Sequence, residues 1–236
     1  MNKHYKIIDL THKLYTDMPS YPTLPPFRIE QIRTVEREGS NVSVITSMHT
    51  HLGTHIDFPL HMIPNSKSMD DYTLEDLCGD GIVVDLSYKG AGEEITEEDL
   101  ARYSDYINEG EIVCVFTGWS KKRNHTATYL FKWPYIGESA AHFLVRKGVK
   151  ILGIDTLSVG GWGGKVAVKG PPTKTPSREI HKMLFDAGIL VVEELANLDV
   201  VLKGNKVARA FFIIAPLAIK GVEASPCRVI SMVSDL

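Results

Sequence analysis

Four of the chain's nine histidines fall within thirteen residues, His49-Thr50-His51-Leu52-Gly53-Thr54-His55-Ile56-Asp57-Phe58-Pro59-Leu60-His61. No other stretch restricts the fold as much. Gly53, Pro59 and the β-branched residues between them argue against a helix. In extended chain, His51, His55, Asp57 and His61 project to one side, with Ile56, Phe58, Leu60 and Met62 opposite. A straight strand would still separate His51 from His61 by about 33 Å. Imidazole and carboxylate bind zinc-like cations at about 2.0–2.2 Å, so donors sharing one ion lie roughly 3–3.5 Å apart. The chain must bend twice for these side chains to meet, and Gly53 and Pro59 are placed to allow it. Two readings follow: a loop folded around a divalent ion, or a half-buried strand whose polar face meets solvent. The density of histidines favours the ion, with His49 a neighbour of the site rather than a ligand.

Composition narrows the partners. The 236 residues are 44% hydrophobic and 23% charged, with a formal charge of −3, which fits one domain spanning 1–236. There is no basic footprint for nucleic acid, no Lys/Arg-rich amphipathic run for a membrane surface and no apolar run of about 18 residues for a membrane span. The expected partner is a small-molecule substrate. Cys78, Cys114 and Cys227 lack metal-ligand spacing and Cys114 sits in an apolar run, usage that suits a reducing compartment. The start of the chain lacks a signal peptide's apolar stretch, so a cytoplasmic location is expected.

Short Val- and Ile-rich runs mark strands at Lys6–Leu10, Asn41–Met48, Gly81–Leu86, Ile112–Phe116, Lys150–Ile154, Ile189–Val192 and Phe211–Ala215. Thr73 with Asp76 and Thr96 with Asp99 form capping-box patterns that predict helix starts. Further helices are expected from Ser139 to Lys147, closed by Gly148, and from Thr175-Pro176 to Gly188. The proline-rich stretch from Pro19 to Pro26 excludes regular structure. Strand and helix alternate only in the second half, which predicts an α/β domain with a mixed sheet.

That second half offers two more metal-type side chains. His181 lies about one turn into its helix, and Glu193 follows the apolar strand Ile189-Leu190-Val191-Val192. From His181 to Gly188 the helix advances roughly 10 Å, and from Gly188 to Glu193 the strand returns roughly 16 Å. The return leaves both side chains at one end, within reach of a common point. Glu194 competes for the role but points to the opposite face.

On these residues the sequence resembles the cyclase family, which includes bacterial kynurenine formamidases and isatin hydrolases. The pattern H-x-G-T-H-x-D-x-P-x-H, filled by His51 through His61, looks like its signature. Ile8-Asp9-Leu10-Thr11-His12, Thr117-Gly118-Trp119, Gly153-Ile154-Asp155-Thr156-Leu157-Ser158 and Val192-Glu193-Glu194-Leu195-Ala196-Asn197-Leu198 agree in order. The resemblance implies a swivelling β/β/α fold, a homodimer or higher homo-oligomer, and one or two divalent ions, zinc with manganese as the alternative. It implies that His51, His55 and Asp57 hold one ion, that Asp57 and Glu193 bridge to a second bound by His181, and that His61 is the catalytic proton shuttle. Where formamidases of the family show a Trp-Pro-Gly-Asp pattern, this chain has Ser20-Tyr21-Pro22-Thr23. Tyr21 either stacks on an aromatic substrate or packs within the rigid loop.

The activity so implied is hydrolysis of an amide, lactam or ester of a small, possibly aromatic, metabolite by metal-activated water, most like an arylformamidase acting on N-formylkynurenine. The alternative is a non-catalytic metal- or ligand-binding protein on the same fold. Ser158 lacks a G-x-S-x-G elbow and, like Asp155, reads as a positioning or structural residue. Gly160-Gly161-Trp162-Gly163-Gly164-Lys165 is followed by Val166, where a phosphate loop needs Ser or Thr. It reads instead as a mobile flap at the site mouth. Trp119 lines either the pocket or the core.

Overall fold

The computed structural model describes residues 5–163 and 177–234. Along the chain its strands are β1 (Tyr5–Asp9), β2 (Arg28–Arg33), β3 (Val42–Ser47), β4 (His55–Asp57), β5 (Cys78–Asp85), β6 (Glu94–Ile95), β7 (Ile112–Phe116), β8 (Tyr135–Ile136), β9 (Ile151–Ile154), β10 (Leu190–Glu193), β11 (Val207–Pro216) and β12 (Ala224–Ser234). Its α-helices are α1 (Val35–Glu38), α2 (Glu97–Ala101), α3 (Ala127–Phe131), α4 (Glu138–Arg146), α5 (Ser177–Asp186) and α6 (Leu198–Leu202).

The main sheet runs β1-β12-β11-β5-β7-β9-β10-β4, and a further pairing of β12 with β4 closes all but β1 into a ring. The mixed α/β architecture expected from the sequence is therefore present. Strands β5, β7, β9 and β10 are parallel, while β4, β11 and β12 complete the ring through antiparallel pairs. Closure removes the exposed edges that an open sheet would leave.

Both faces of the parallel strands are buried, which is why they read as continuous apolar runs. Ile82, Val84, Val113, Val115, Leu152, Ile154 and Val191 face one core with Leu100, Ala140, Leu144, Ile180, Leu184 and Phe185 of the helices. The alternate residues Val83, Ile112, Cys114, Ile151, Leu190 and Val192 face a second core with Ile56, Phe58, Phe212, Ile214 and Val229.

All the β-rich runs form strands, although Asn41–Met48 does so in a separate hairpin of β2 and β3 rather than in the main sheet. The Thr96–Asp99 capping box opens α2. Thr73 and Asp76 also make their reciprocal bonds, Thr73 N to Asp76 Oδ2 at 2.8 Å and Asp76 N to Thr73 Oγ1 at 3.4 Å, but only a turn follows, because β5 begins at Cys78 and leaves no room for a helix. Thr175 and Pro176, the expected start of α5, lie outside the described residues. The helix ends before Gly188, whose φ of 78° is left-handed. Among the described residues no helix is long and apolar enough to cross a membrane.

Packing between β5 and β7 depends on Gly81, where a Cβ would lie 2.0 Å from the Ile112 carbonyl oxygen. Backbone cannot yield as a side chain can. Gly81→Ala is expected to lower stability by about 1–3 kcal/mol, seen as a lower urea midpoint with the slope preserved.

Candidate metal centre

Glu193 ends β10 at the carboxyl end of the parallel strands, where α/β sheets commonly present their sites. Along β10 it shares the helix-facing side with Val191. Register then recruits β4: Glu193 lies opposite His55 and Val191 opposite Asp57. Residues directly opposite share a face, so His55 and Asp57 join Glu193 while Ile56 is turned into the second core. Helix α5 covers the same face and buries Ile180, His181, Leu184 and Phe185. His181 Nε2 thereby comes to 3.1 Å from Asp57 Oδ2 and 3.1 Å from Glu193 Oε1.

The two bends bring in the rest. Gly53 adopts φ 59°, and a Cβ there would meet Leu14 Cδ2 at 2.8 Å. Pro59 opens a 3₁₀ turn, Pro59–His61, which ends the strand's alternation before Leu60 and Met62. His51 and His61 thus come to 4.2 Å between ring centroids, and His61 and His181 to 5.4 Å. Ligand atoms of His51, Asp57 and His61 lie within 4.8 Å of one another, as do those of His55, Asp57 and Glu193. Asp57 belongs to both groups, and His61 stands among the donors rather than apart from them.

These donors fit a cation. His55 Nδ1 lies 2.7 Å from the Gly53 carbonyl oxygen, so it holds the proton and leaves Nε2 with a lone pair. That Nε2 is buried without a hydrogen bond, and so is Asp57 Oδ1. His51 Nδ1 approaches Asp57 Oδ1 to 2.8 Å without hydrogen-bond alignment. His181 Nδ1 lies 2.8 Å from the Ser177 carbonyl oxygen, turning its Nε2 toward both carboxylates. Converging lone pairs at bonding separation but without hydrogen bonds are what a divalent ion satisfies.

Without an ion, protons supply the positive charge. Burial opposes it, but Asp57, Glu223 and Glu193 push His51 up to about 10. Glu193 and Asp57 likewise push buried His181 up to about 10. In return, and against burial, His51 and His55 hold the Asp57 carboxyl well below the usual range. His181 and His55 bring Glu193 down to about 2 despite its burial. His61 differs: burial, then His181 and His51, push it down to about 4 even though Asp57 pulls the other way. It is a neutral imidazole, able to accept a proton.

Of the supporting residues, Ser158, Asp155 and Glu194 stood out in the sequence, whereas Glu223, Arg123 and Ser120 carried no signal there. Ser158 Oγ donates to Glu193 Oε1 at 3.0 Å and Val159 N at 2.7 Å, so Ser158 positions a carboxylate and is not a free nucleophile. Glu223 lies 3.3 Å from His51 Nε2 and accepts from Thr50 Oγ1 at 2.6 Å. Glu194 is buried against Arg123, whose Nη2 donates to it at 3.0 Å and to the Pro19 carbonyl oxygen at 2.8 Å. Asp155, raised by burial, accepts from Thr117 and Ser120, with Thr117 Oγ1 at 2.6 Å, and ties β7 to β9 away from the pocket. Only local spacing was visible in the sequence for any of these.

A cavity of about 630 Å³ opens over the donors, lined among others by Tyr21, His49, Ser158, Trp162, Arg178 and Glu223. Tyr21 sits 5.5 Å from Trp162 and 6.1 Å from Trp133 between ring centroids, both packing in its loop and facing the cavity. Trp119 is buried in the adjoining aromatic core and donates to the Tyr129 carbonyl oxygen at 3.2 Å. The expected flap is corrected in its first half. Gly160 to Trp162 are buried, with Gly160 O accepting from Trp133 Nε1 at 2.8 Å and Gly161 O from Ser177 N at 2.9 Å. Gly164, Lys165 and Val166 lie outside the described residues.

The family model described as "Putative cyclase" matches residues 8–160. The chain belongs to the cyclase family. The chain is 29% identical over 224 residues to the kynurenine formamidase of Bacillus thuringiensis subsp. konkukian, covering 94% of this chain and 95% of that one. Isatin hydrolase A from Labrenzia aggregata, solved with benzyl benzoate, superposes with a TM-score of 0.81 at 30% identity, covering 98% and 94% of the two chains. A "predicted metal-dependent hydrolase from Bacillus stearothermophilus" superposes with a TM-score of 0.73 at 31% identity, covering 97% and 98%.

The electrostatics have a pH consequence. His51 and His181 sit above their ordinary 6.5 in the folded, ion-free protein. A raised folded pKa stabilises fully below the unfolded value, and that contribution is lost as pH rises through the folded one. The ion-free protein is expected to lose thermal stability from about pH 6.5 to about pH 10, measured by calorimetry in the presence of a chelator. A flat profile would show that the two imidazoles hold no such protons.

Proposed function

We propose that this protein is a metal-dependent hydrolase of a small amide, lactam or ester, acting most like an arylformamidase on N-formylkynurenine. The observation that carries the reading is the convergence of His51, His55, Asp57, His61, His181 and Glu193 with two buried donor atoms, His55 Nε2 and Asp57 Oδ1, lacking a hydrogen bond. The hydrolases among its relatives supply the reaction class.

His51, His55, Asp57, His181 and Glu193 would hold one or two ions, zinc in preference to manganese because imidazole outnumbers carboxylate in the set. A divalent ion held there supplies Lewis acidity to a carbonyl oxygen and lowers the pKa of a water toward about 7. Tyr21 and Trp162 bound the cavity on its aromatic side and orient a ring-bearing substrate by stacking against it. His61, neutral and within the cluster, accepts the proton released as water adds to the carbonyl and returns it to the departing nitrogen or oxygen.

The test is a substrate panel of N-formylkynurenine, isatin, simple lactones and amides, run before and after chelation. Activity is expected to disappear with the ion and to return on adding Zn²⁺ or Mn²⁺. A fully metal-loaded protein inactive on every substrate would instead point to a binding role. His61→Ala is expected to lower kcat by about 10²–10⁴ while the metal content by mass spectrometry stays normal. Loss of metal would make His61 a ligand.

A homodimer is part of the proposal. The β2–β3 hairpin is exposed on both faces and carries Ile29, Ile32, Val42, Val44 and Ile45, each at least a third uncovered, whereas a lone two-stranded hairpin is marginal in water. Ile32→Asp combined with Val44→Asp is expected to shift the sedimentation coefficient from dimer to monomer. A monomeric parent protein would refute this part. A reducing cytoplasm as the place of action is supported by three unpaired cysteines.

A further inference from the structure

Arg123 is a buried cation that the ion centre does not use. Its side chain is 9% exposed and that of its partner Glu194 is 2% exposed. Nε and Nη2 donate to the same carboxylate oxygen, Glu194 Oε2, at 3.2 and 3.0 Å. Nη2 donates also to the Pro19 carbonyl oxygen at 2.8 Å. Taking a carboxylate and a guanidinium out of water yields little net stability, so the pair needs another reason.

The two ends of this bridge belong to different parts of the molecule. Glu194 is fixed to the frame of the ion centre. Its N–H donates to the Thr156 carbonyl oxygen at 2.9 Å, and its own carbonyl accepts from Thr54 Oγ1 at 2.6 Å. Glu193 precedes Glu194 in the chain and His55 follows Thr54. Pro19, by contrast, opens the loop that carries Tyr21, two residues and at most about 7 Å of chain further on.

Met18 anchors the start of that loop by burial with Phe27 and Leu52, a contact without direction. Among the described residues, two hydrogen bonds tie residues 17–24 to the body of the protein. One is Arg123 to Pro19, and in the other His125 Nε2 donates to the Asp17 carbonyl oxygen at 2.8 Å. Both donors follow the 3₁₀ turn Trp119–Lys122, where Ser120 Oγ donates to Asp155 at 3.1 Å. A second hollow of about 330 Å³, bordered by Tyr21, Leu24 and Phe131, adjoins the loop. Packing therefore does not close around the Tyr21 ring on every side, and directed bonds are left to set where it lies.

We propose that Arg123 is a positioning residue that fixes the separation between the Tyr21 ring and the Glu193 end of the ion centre, and with it the preference for ring-bearing ligands. A guanidinium suits the task because its rigid planar fork holds two acceptors at once, whereas a lysine ammonium is a point charge on a flexible stem. The proposal rests on the hydrolase reading above for what occupies the cavity, and adds a residue that does not line it.

The test measures Kd for benzoate and for acetate by calorimetry on Zn²⁺-loaded protein. Both ligands carry the carboxylate and only benzoate carries a ring, so their ratio isolates the contact with the ring. Arg123→Lys keeps a charge opposite Glu194 but loses the bridge. Arg123→Met combined with Glu194→Gln removes both charges, so that neither is left buried alone. In each variant the preference for benzoate is expected to fall about fivefold. Zn²⁺ affinity, read by chelator competition, should stay within about threefold of the parent. In a Tyr21→Ala background, Arg123→Lys should alter the preference no further, a coupling that a merely structural role does not produce.

A change of less than about twofold in both variants, or an equal further fall in the Tyr21→Ala background, would overturn the proposal. So would weakening of benzoate and acetate alike with loss of Zn²⁺, which would make Arg123 a support of the ion centre alone. A parent protein without a preference for benzoate would overturn it too. If the parent hydrolyses nothing in the substrate panel the hydrolase reading fails, while the two affinities still report on Arg123.

Discussion

Asp57 and Glu193 are buried carboxylates placed a few ångströms apart, and that juxtaposition is the constraint around which the rest is arranged. Two like charges in a low-dielectric interior are costly unless cations compensate them. The compensation comes from three sides: His51 from the loop before β4, His55 from β4 itself, and His181 from α5. Each imidazole is turned by a bond on its outer side, His55 to Gly53, His181 to Ser177 and His51 toward Glu223. Such outer partners fix ring orientation and tautomer. Removing one carboxylate would leave three imidazoles sharing the other, so the cluster behaves as a unit.

The sheet makes this possible by closing. β12 pairs first with β4 through Ala224–Pro226 and then with β1, while β11 runs along its other side. Without the β12–β4 pairing β4 would be an edge strand, and its three residues would hold their register against β10 weakly. A slip of one residue would turn His55 and Asp57 into the second core and Ile56 toward Glu193 and His181. The short strand carrying these candidate ligands is thus specified from both flanks, with Thr54 adding a bond from its hydroxyl to the Glu194 carbonyl oxygen at 2.6 Å.

The sequence disclosed the site better than the topology that builds it. His51, His55, Asp57 and His61 were legible because metal-type side chains crowded around Gly53 and Pro59 have few alternative uses. The meeting of His181 with Glu193 followed from helix and strand rise alone. The ring closure was not legible. β12 contains Pro226 and three serines, a composition that reads as loop, and Pro226 is tolerated because it lies where the strand exchanges one partner for another. Arg123 and Glu223 were equally hidden, since they meet their partners across 71 and 172 positions respectively (from 123 to 194 and from 51 to 223).

Arg123 shows how the aromatic wall is joined to the ion site. Its guanidinium holds Glu194, the residue after Glu193, and at the same time the Pro19 carbonyl oxygen at the start of the loop that carries Tyr21. Glu194 takes a left-handed φ of 50°, which turns it away from its neighbour so that consecutive carboxylates serve different cations. Burial raises the Glu194 carboxyl and Arg123 offsets only part of that rise, so the ion pair is held by position rather than by any gain in stability. The result couples two parts of the cavity that sequence keeps far apart. The start of the Tyr21 loop and the end of β10 are thus tied to the same guanidinium.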